Sequence, residues 1–242
     1  KMFKDKKLLV LEGGPQFKRA SQDQYSNRVS AINRQSIDLL KSLNAWNFIK
    51  SNRLKPVKKM QVWGIVGEMI QFDHPGNERN VAHIIENDLI LEALHDQIRH
   101  FPNINIINGT GVTQCEFLKP EGPEVNSVVT KQGENFTCDL LMGADGFNST
   151  VRKCMNVNTI GMSYDQMGVV ATLKLDADNP HHDVAFQRFI PNGPIALLPL
   201  SETECSLVWT TTKQHAKELV EMEASQFVAS INEAYTAKFE VN

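Results

Sequence analysis

The sequence lacks several features that would place it in other classes of protein. Its four cysteines, Cys115, Cys138, Cys154 and Cys205, lie far apart and form no C-x-x-C pair. This spacing is typical of reduced thiols and not of a zinc or redox motif. The net charge of -3 does not suggest a nucleic-acid binder with a basic face, so nucleic acid is not expected as a partner. No apolar run is long enough to span a bilayer, and no secretion signal is visible.

What is present is the composition of an ordinary globular protein. The 242 residues are 41% apolar and 22% charged, enough to bury the core of one large domain or two small ones. Along the chain, an α/β segment is followed by an antiparallel-looking insert, a return to α/β, and a long strand-rich run. This order predicts two domains, one of which interrupts the other.

Hydrophobic patterns predict the main elements. Residues 8–11 are apolar on both faces, as in a parallel strand that is covered on both sides. Apolar residues at helical spacing predict helices over residues 33–48 and after Asn87, which is a suitable N-cap. A further strand is predicted over residues 140–142. Four more strands follow Arg152, and two helices are predicted at about 213–221 and 223–238.

Two carboxylates stand where predicted strands meet glycines. Glu12 follows the first strand and precedes a Gly-Gly turn, a position that suits the hydroxyls of a ribose. Asp145, between Gly143 and Gly146, can accept from a ribose hydroxyl while nearby backbone N–H groups contact phosphate. A solvent-facing glutamate and an ordinary Asp-Gly turn are the structural alternatives.

The string G-A-D-G-x-N-S-x-V-R, placed after an apolar run, resembles the class A flavin-dependent aromatic hydroxylases, of which para-hydroxybenzoate hydroxylase is the familiar member. The strings "LLVLEGGP", "YSNRVSAI" and "IIENDLILEAL" are similar to further segments of that family. The resemblance implies FAD as cofactor, with Glu12 on its adenosine ribose, Arg28 near the flavin, and the Asp-Gly motif serving both FAD and NAD(P)H. The cofactor-binding residues implied in this way are Glu12, Arg28, Gly143, Asp145, Gly146 and Arg152.

The fold that the resemblance implies is α/β. It consists of a Rossmann-like FAD-binding domain, incomplete in this chain, at residues 1–55 and 84–157. An interleaved antiparallel β-sheet substrate domain, also partial, takes residues 56–83 and 158–242.

Longer strings, such as "QRFIPNGPIALLPL", resemble the branch of the family that serves ubiquinone biosynthesis. The resemblance implies a monooxygenase that hydroxylates a polyprenylated hydroxybenzoate-type intermediate through a flavin C4a-hydroperoxide. It implies O₂, an electron donor (NAD(P)H or a ferredoxin-type protein) and other ubiquinone-biosynthesis proteins as partners, on the matrix side of the mitochondrial inner membrane. The implied substrate residues, for each of which sheet core or a structural turn is the alternative, are Gln187, Arg188, Phe189, Pro194, Leu197, Leu198 and Trp209.

Two motifs of the family are missing from the chain. A G-x-G-x-x-G turn would lie just before Lys1, and a G-D-type motif would lie beyond Asn242. We therefore expect this chain to be an internal piece of a longer enzyme. Two other functions stay open: a binding or assembly module without flavin, and a related flavin enzyme of another phenol or an NAD(P)-linked reductase.

Two polar clusters outside these motifs allow other interpretations. Residues 181–183, His-His-Asp, suggest part of a metal site, but no further ligand stands at a suitable spacing and no metal is expected. A basic cluster would suit anionic lipid or an acidic electron-transfer partner, with a solvated face as the alternative. Its members are Arg53, Lys55, Lys58 and Lys59.

Overall fold

The computed structural model describes residues 5–18, 23–74, 79–175 and 181–237. The chain forms two compact units, the first from Lys1–Lys18 and Ile98–Met162, the second from Arg19–Gln97 and Ser163–Asn242. The units therefore alternate along the sequence. The functional division predicted at residues 55, 83 and 157 stays a prediction, because compactness alone does not assign a function.

The described residues contain fourteen strands and six helices. In chain order the strands are β1 (Leu8–Glu12), β2 (Val29–Ile32), β3 (Lys55–Val57), β4 (Lys59–Trp63), β5 (Met69–Phe72), β6 (Ala82–Glu86), β7 (Ile104–Asn108), β8 (Val112–Glu116), β9 (Asn126–Thr130), β10 (Asn135–Cys138), β11 (Gln166–Lys174), β12 (Val184–Ile190), β13 (Gly193–Pro199) and β14 (Glu204–Thr212). The helices are α1 (Arg34–Ser42), α2 (Trp46–Lys50), α3 (Asn87–Ile98), α4 (Thr150–Cys154), α5 (Lys213–Glu221) and α6 (Ala224–Thr236).

The first unit contains a parallel pair and an antiparallel sheet. Strand β1 pairs in parallel with β7, and β10, β9 and β8 form a three-stranded antiparallel sheet beside which α4 packs. The predicted parallel strand is confirmed, but its predicted cover on both faces is wrong, because Leu9 and Val10 are exposed. This parallel sheet has two strands, because β7 is the one strand among the described residues that pairs with β1.

The strand predicted over residues 140–142 does not form. Strand β10 ends at Cys138, and the chain from residue 139 to the start of α4 has no regular structure. Leu140 and Met142 are 68% and 78% exposed. A strand requires a neighbour for its backbone N–H and C=O groups, and no described strand pairs with this segment. The apolar run predicted the strand wrongly because the run itself carries no information about a pairing partner.

The second unit contains two sheets. Strands β2, β6 and β3 form one, in that order, and the other has six strands in the order β11-β14-β13-β12-β4-β5. All pairs in the six-stranded sheet are antiparallel except β12 with β4. Helices α5 and α6 contribute to a hydrophobic core with strands β11, β13 and β14. The four strands and two helices predicted after Arg152 are confirmed.

The helix predicted over residues 33–48 is two helices. Asn33 caps α1, since its side chain accepts from the Ser36 N–H at 3.0 Å. The helix ends at Ser42, and Asn44 has a φ of 59°, in the left-handed region that asparagine tolerates. The predicted apolar face is nevertheless right, because α1 and α2 share one buried cluster with β6 and α3.

The cysteines are free thiols, as predicted. Burial raises the pKa of the Cys205 thiol to about 12, so it is protonated at neutral pH. None of the helices in the described part of the chain has the length and apolar character needed to cross a bilayer.

Candidate functional site

The carboxyl ends of β1 and β7 meet at one edge of the first unit. Glu12 ends β1 and lies opposite Asn108, the last residue of β7. The turns that follow are joined by backbone hydrogen bonds, 2.6 Å from Gly109 N to Gly14 O and 2.8 Å from Thr110 N to Glu12 O. This edge is where open α/β sheets bind dinucleotides.

The Glu12 side chain is exposed beside a glycine turn. Its Oε1 atom accepts a hydrogen bond of 2.7 Å from the Gly14 backbone N–H. A Cβ atom at position 14 would lie 3.1 Å from that oxygen, and one at position 13 would lie 3.6 Å from the Gly111 Cα atom. The glycine at 14 therefore leaves space beside the carboxylate at the end of the strand, as an acceptor for ribose hydroxyls requires.

Asp145 caps the start of α4. Its Oδ1 atom accepts from the Ser149 hydroxyl at 2.6 Å, and Oδ2 accepts from Thr150 N at 2.6 Å and Val151 N at 3.2 Å. Burial alone would raise the pKa of Asp145, but the hydrogen bonds from Ser149, Val151 and Thr150 outweigh it, and the pKa is lowered. Both oxygens are thus bonded within the loop. The predicted contact of Asp145 with ribose stays a prediction.

Gly143, Gly146 and Arg152, the other members of the Asp-Gly motif, also have structural roles within this loop. Gly146 has a φ of 78°, which favours glycine. A Cβ atom at position 143 would lie 2.9 Å from the Val151 Cβ atom, so the loop packs on α4 only with glycine there. The Arg152 Nη2 atom donates to the Phe147 carbonyl. The motif therefore encodes a closed loop, whatever ligand it binds.

We expect Asp145→Asn to lower the free energy of unfolding by about 1 kcal/mol at neutral pH, because the α4 N–H groups lose a charged acceptor. The contribution depends on pH. Since folding lowers the pKa, the stabilisation is present above the unfolded-state value of about 3.9 and is lost as pH falls through the folded-state pKa.

Urea denaturation of both proteins at neutral pH and at about pH 2.5 measures this difference. Asp139→Asn, which changes an exposed carboxylate just outside the loop, is the control. A difference for Asp145→Asn that is as large in acid as at neutral pH would contradict the prediction.

The segment that carries Arg28 lies in the second unit. The Ser26 N–H donates to Glu86 Oε1 at 2.7 Å, and the Asn87 N–H donates to the Arg28 carbonyl at 3.0 Å. Strand β2 begins at the next residue, Val29. The backbone of Arg28 is thus fixed on both sides while its side chain is exposed. Its place near a flavin stays a prediction.

The predicted substrate residues lie on the six-stranded sheet, on two opposite faces. Successive residues of a strand point to opposite faces. The register aligns Arg188, Ile195 and Trp209 in one row across β12, β13 and β14. This row belongs to the face that packs on α5 and α6, and the adjacent rows belong to the other, open face.

Three of the predicted residues lie on the helix-covered face. Trp209 is buried in the core with α5 and α6, and Leu197 packs against the same core. Arg188 is 5% exposed, and its guanidinium donates to the carbonyls of Ala234, at 2.8 Å, and Ala237, at the end of α6. These contacts match the alternative of sheet core.

The other four residues, Gln187, Phe189, Pro194 and Leu198, lie on the open face. Phe189 is directly opposite Pro194 in the register and is 50% exposed. Leu198 packs against a second core formed with β3 and β6, so only part of this face is covered. The structure therefore brings together the exposed Phe189 and the half-buried Gln187 and Pro194.

Sequence reasoning missed the acidic partners of the basic cluster. The ion pairs are Arg53–Glu86 (3.0 Å), Lys55–Glu202 (2.6 Å), Lys58–Asp183 (3.1 Å) and His182–Glu202 (3.1 Å). Among the members of the basic cluster, the smallest separation in sequence is the 33 residues between Arg53 and Glu86. Most of the cluster and part of the His-His-Asp triplet are therefore engaged in ion pairs, which no local pattern reveals.

Comparison with known families decides the classification. A family model described as an FAD binding domain matches residues 17–241. The chain belongs to the FAD binding domain family. The match confirms the family that the motifs predicted, together with FAD as its cofactor.

Curated members of the family match nearly the whole chain. Ubiquinone biosynthesis monooxygenase COQ6 of Drosophila melanogaster is 47% identical over 237 residues, which are 97% of this chain and 50% of that protein. The Homo sapiens protein of the same name is 40% identical over 241 residues, 96% of this chain and 51% of that protein. The chain spans about half the length of the curated relatives it matches.

Solved structures share the fold. PqsL of P. aeruginosa superposes with a TM-score of 0.67 at 14% identity. The match covers 96% of this chain and 65% of the PqsL chain. The structure of 2-methyl-3-hydroxypyridine-5-carboxylic acid oxygenase superposes with a TM-score of 0.65 at 16% identity. That match covers 95% of this chain and 61% of the oxygenase chain. These similarities confirm the predicted α/β fold class of this FAD binding domain.

Proposed function

We propose that this FAD binding domain is part of a monooxygenase that hydroxylates the aromatic ring of a polyprenylated hydroxybenzoate-type intermediate in ubiquinone biosynthesis. The observation that carries the proposal is the 47% identity to the Drosophila ubiquinone biosynthesis monooxygenase over 97% of the chain. O₂ and an electron donor, NAD(P)H or a ferredoxin-type protein, are the co-reactants. A peripheral place on the matrix side of the mitochondrial inner membrane, and contact with other ubiquinone-biosynthesis proteins, belong to the same proposal.

The end of β1 fits the adenosine ribose of FAD. An exposed carboxylate at the carboxyl end of a parallel strand is the group that accepts hydrogen bonds from ribose hydroxyls in dinucleotide-binding folds, and Glu12 has that position. The sequence contains no G-x-G-x-x-G turn, so this fit concerns the ribose and not the pyrophosphate. When bound, FAD supplies the redox and oxygen-transfer chemistry.

The open face of the six-stranded sheet is our candidate for the surface that holds the phenol ring. Phe189 and Pro194 offer neighbouring apolar surface, and Gln187 adds an amide that can hydrogen-bond a ring substituent. On this proposal these residues orient the ring and exclude water. Arg188, Leu197 and Trp209 support the sheet from behind, through their contacts with α5 and α6. We assign no side chain to proton transfer.

An FAD titration tests the cofactor site. We expect Glu12→Ala, in protein expressed from the complete coding sequence, to raise the FAD dissociation constant about tenfold to hundredfold, because two ribose hydroxyls lose a charged acceptor. Quenching of flavin fluorescence reports binding. Glu124→Ala removes an exposed carboxylate from a loop of the same unit and is the matched control. Equal affinities of the two variants would argue against Glu12 as the ribose ligand.

Product analysis tests the reaction itself. The FAD-loaded protein, supplied with O₂ and a reductant, is incubated with a prenylated hydroxybenzoate and, separately, with simple phenols. A hydroxylated prenylated product supports the proposal. Turnover of simple phenols alone would identify a related flavin hydroxylase, and failure to bind FAD would leave the assembly module as the better explanation.

A further inference from the structure

Among the described residues, Glu86 is the one acidic side chain that is buried. It ends β6 and is 5% exposed. Its Oε1 atom accepts from the Ser26 N–H at 2.7 Å and from Arg53 Nη2 at 3.0 Å. Its Oε2 atom is buried and has no hydrogen-bond partner in the described part of the chain. A buried carboxylate with one oxygen unsatisfied costs stability, so stability alone does not explain it.

Arg53 extends the contact from Glu86 to the neighbouring residues of the same loop. Its guanidinium lies 4.5 Å from the centre of the Tyr25 ring and donates to the Gln24 carbonyl at 3.2 Å. The Glu86–Arg53 pair therefore contacts three consecutive residues, 24–26. The Tyr25 hydroxyl, in turn, donates to the Leu200 carbonyl at 3.1 Å.

Arg28 follows this loop directly. Its backbone N–H donates to the Ser26 hydroxyl at 3.4 Å, and its carbonyl accepts from Asn87, the residue after Glu86. Strand β2 then pairs with β6, with Val29 opposite Glu86. The backbone on both sides of Arg28 is thus fixed by residues 86 and 87, while Arg28 itself is an exposed residue.

We infer that the Glu86–Arg53 pair is a positioning device for Arg28, which holds residues 24–28 in one conformation so that the backbone carrying the Arg28 side chain is ordered before the flavin binds. The inference rests on the proposed function, since it takes Arg28 to contact the cofactor. Buried ion pairs are best attested as devices that specify one arrangement, and a loop backbone ordered in advance loses less entropy on binding.

A double-mutant cycle tests the inference in protein expressed from the complete coding sequence. The variants are Glu86→Gln, Arg28→Met and the double variant, and the measurements are the FAD dissociation constant and the circular dichroism of the flavin bands. We expect Arg28→Met to weaken binding about tenfold and Glu86→Gln about fivefold. In the Arg28→Met background, Glu86→Gln should change affinity less than about twofold, because its target is gone.

The control is Asp38→Asn, which makes the same change of carboxylate to amide in the same unit. Asp38 is an exposed partner of Arg34 and Lys41, and its loss should leave FAD affinity unchanged. If Glu86→Gln does not fold, Arg53→Lys replaces it, because lysine keeps the charge but cannot bond Glu86 and Gln24 in the same geometry.

Three other outcomes would contradict, in turn, the action of the ion pair through Arg28, the contact of Arg28 with the flavin, and the proposed function. A Glu86→Gln effect of equal size in both backgrounds would mean that the ion pair acts on overall stability and not through Arg28. An Arg28→Met variant that binds FAD normally would remove the proposed flavin contact and the inference with it. A parent protein that binds no FAD would overturn the proposed function itself.

Discussion

Gly193→Ala is expected to destabilise the six-stranded sheet by at least about 3 kcal/mol, enough to deplete the soluble, folded protein. Gly193 begins β13 and has a φ of 115°. A Cβ atom there would lie 2.2 Å from the Thr210 carbonyl oxygen and 3.0 Å from its carbon. Both are backbone atoms of β14, so no side-chain rotation relieves the overlap and a strand must move.

Gly168→Ala is the matched control. Gly168 lies on β11 directly opposite the same residue, Thr210, and a Cβ atom there would meet nothing within 4 Å. We expect its effect on the free energy of unfolding to stay within about 1 kcal/mol. Urea denaturation of both variants provides the comparison. Similar stabilities would mean that the close approach between Gly193 and Thr210 does not constrain the sheet.

Arg188→Met is expected to lower the free energy of unfolding by about 2–4 kcal/mol, because two carbonyls at the end of α6 lose charge-assisted hydrogen bonds in a buried setting. The bonds go to Ala234 and Ala237, which lie 46 and 49 residues further along the chain. The side chain therefore ties α6 to β12. Methionine keeps much of the apolar stem and removes only the donors.

The comparison for Arg188 is Arg34→Met, which removes an arginine that is exposed on α1 and should change stability by less than about 0.5 kcal/mol. Arg188→Lys should recover only part of the loss, because an ammonium cannot reproduce the planar fork of a guanidinium. An Arg188→Met protein of normal stability but impaired substrate turnover would restore Arg188 to the substrate site and contradict its structural role.

These two predictions bear on the six-stranded sheet, which carries the residues predicted for substrate binding on two faces. The string "QRFIPNGPIALLPL" contributes neighbours in sequence to opposite faces of one sheet, because strand residues alternate. Arg188 bonds to α6, while Gln187 and Phe189 on either side of it belong to the open face. A resemblance that covers the whole string cannot separate the two sets, whereas the pairing register does so residue by residue.

Local patterns were sufficient where an element is stabilised by its own neighbours in sequence. The alternation of β11 to β14 and the apolar spacing of α5 and α6 predicted those elements correctly. The parallel character of β1 and the turn that displays Glu12 were also visible in the sequence. The family followed from short motifs, because the backbone conformation at Gly146 and the close packing of Val151 on Gly143 allow few other residues.

Two of the errors, in the strand predicted over 140–142 and in the helix predicted over 33–48, share one physical cause. The run at residues 140–142 is apolar but has no described strand to pair with, and the helix over 33–48 is interrupted where Asn44 adopts a left-handed conformation. In both places the composition permits the predicted element, and the outcome depends on the backbone conformation and its pairing partners.

The sequence by itself determined the fold class, the family, the cofactor of that family and the position of Glu12 at the end of a parallel strand. Only the tertiary structure decided which side chains serve the scaffold and which stay accessible. It placed Asp145 at the start of α4, Arg188 at the end of α6 and three members of the basic cluster in ion pairs, and it buried Glu86 against the loop that precedes Arg28. The reason is that these contacts join groups whose partners are set by folding: most lie tens of residues apart, and even the local Asp145 cap exists only once α4 has formed.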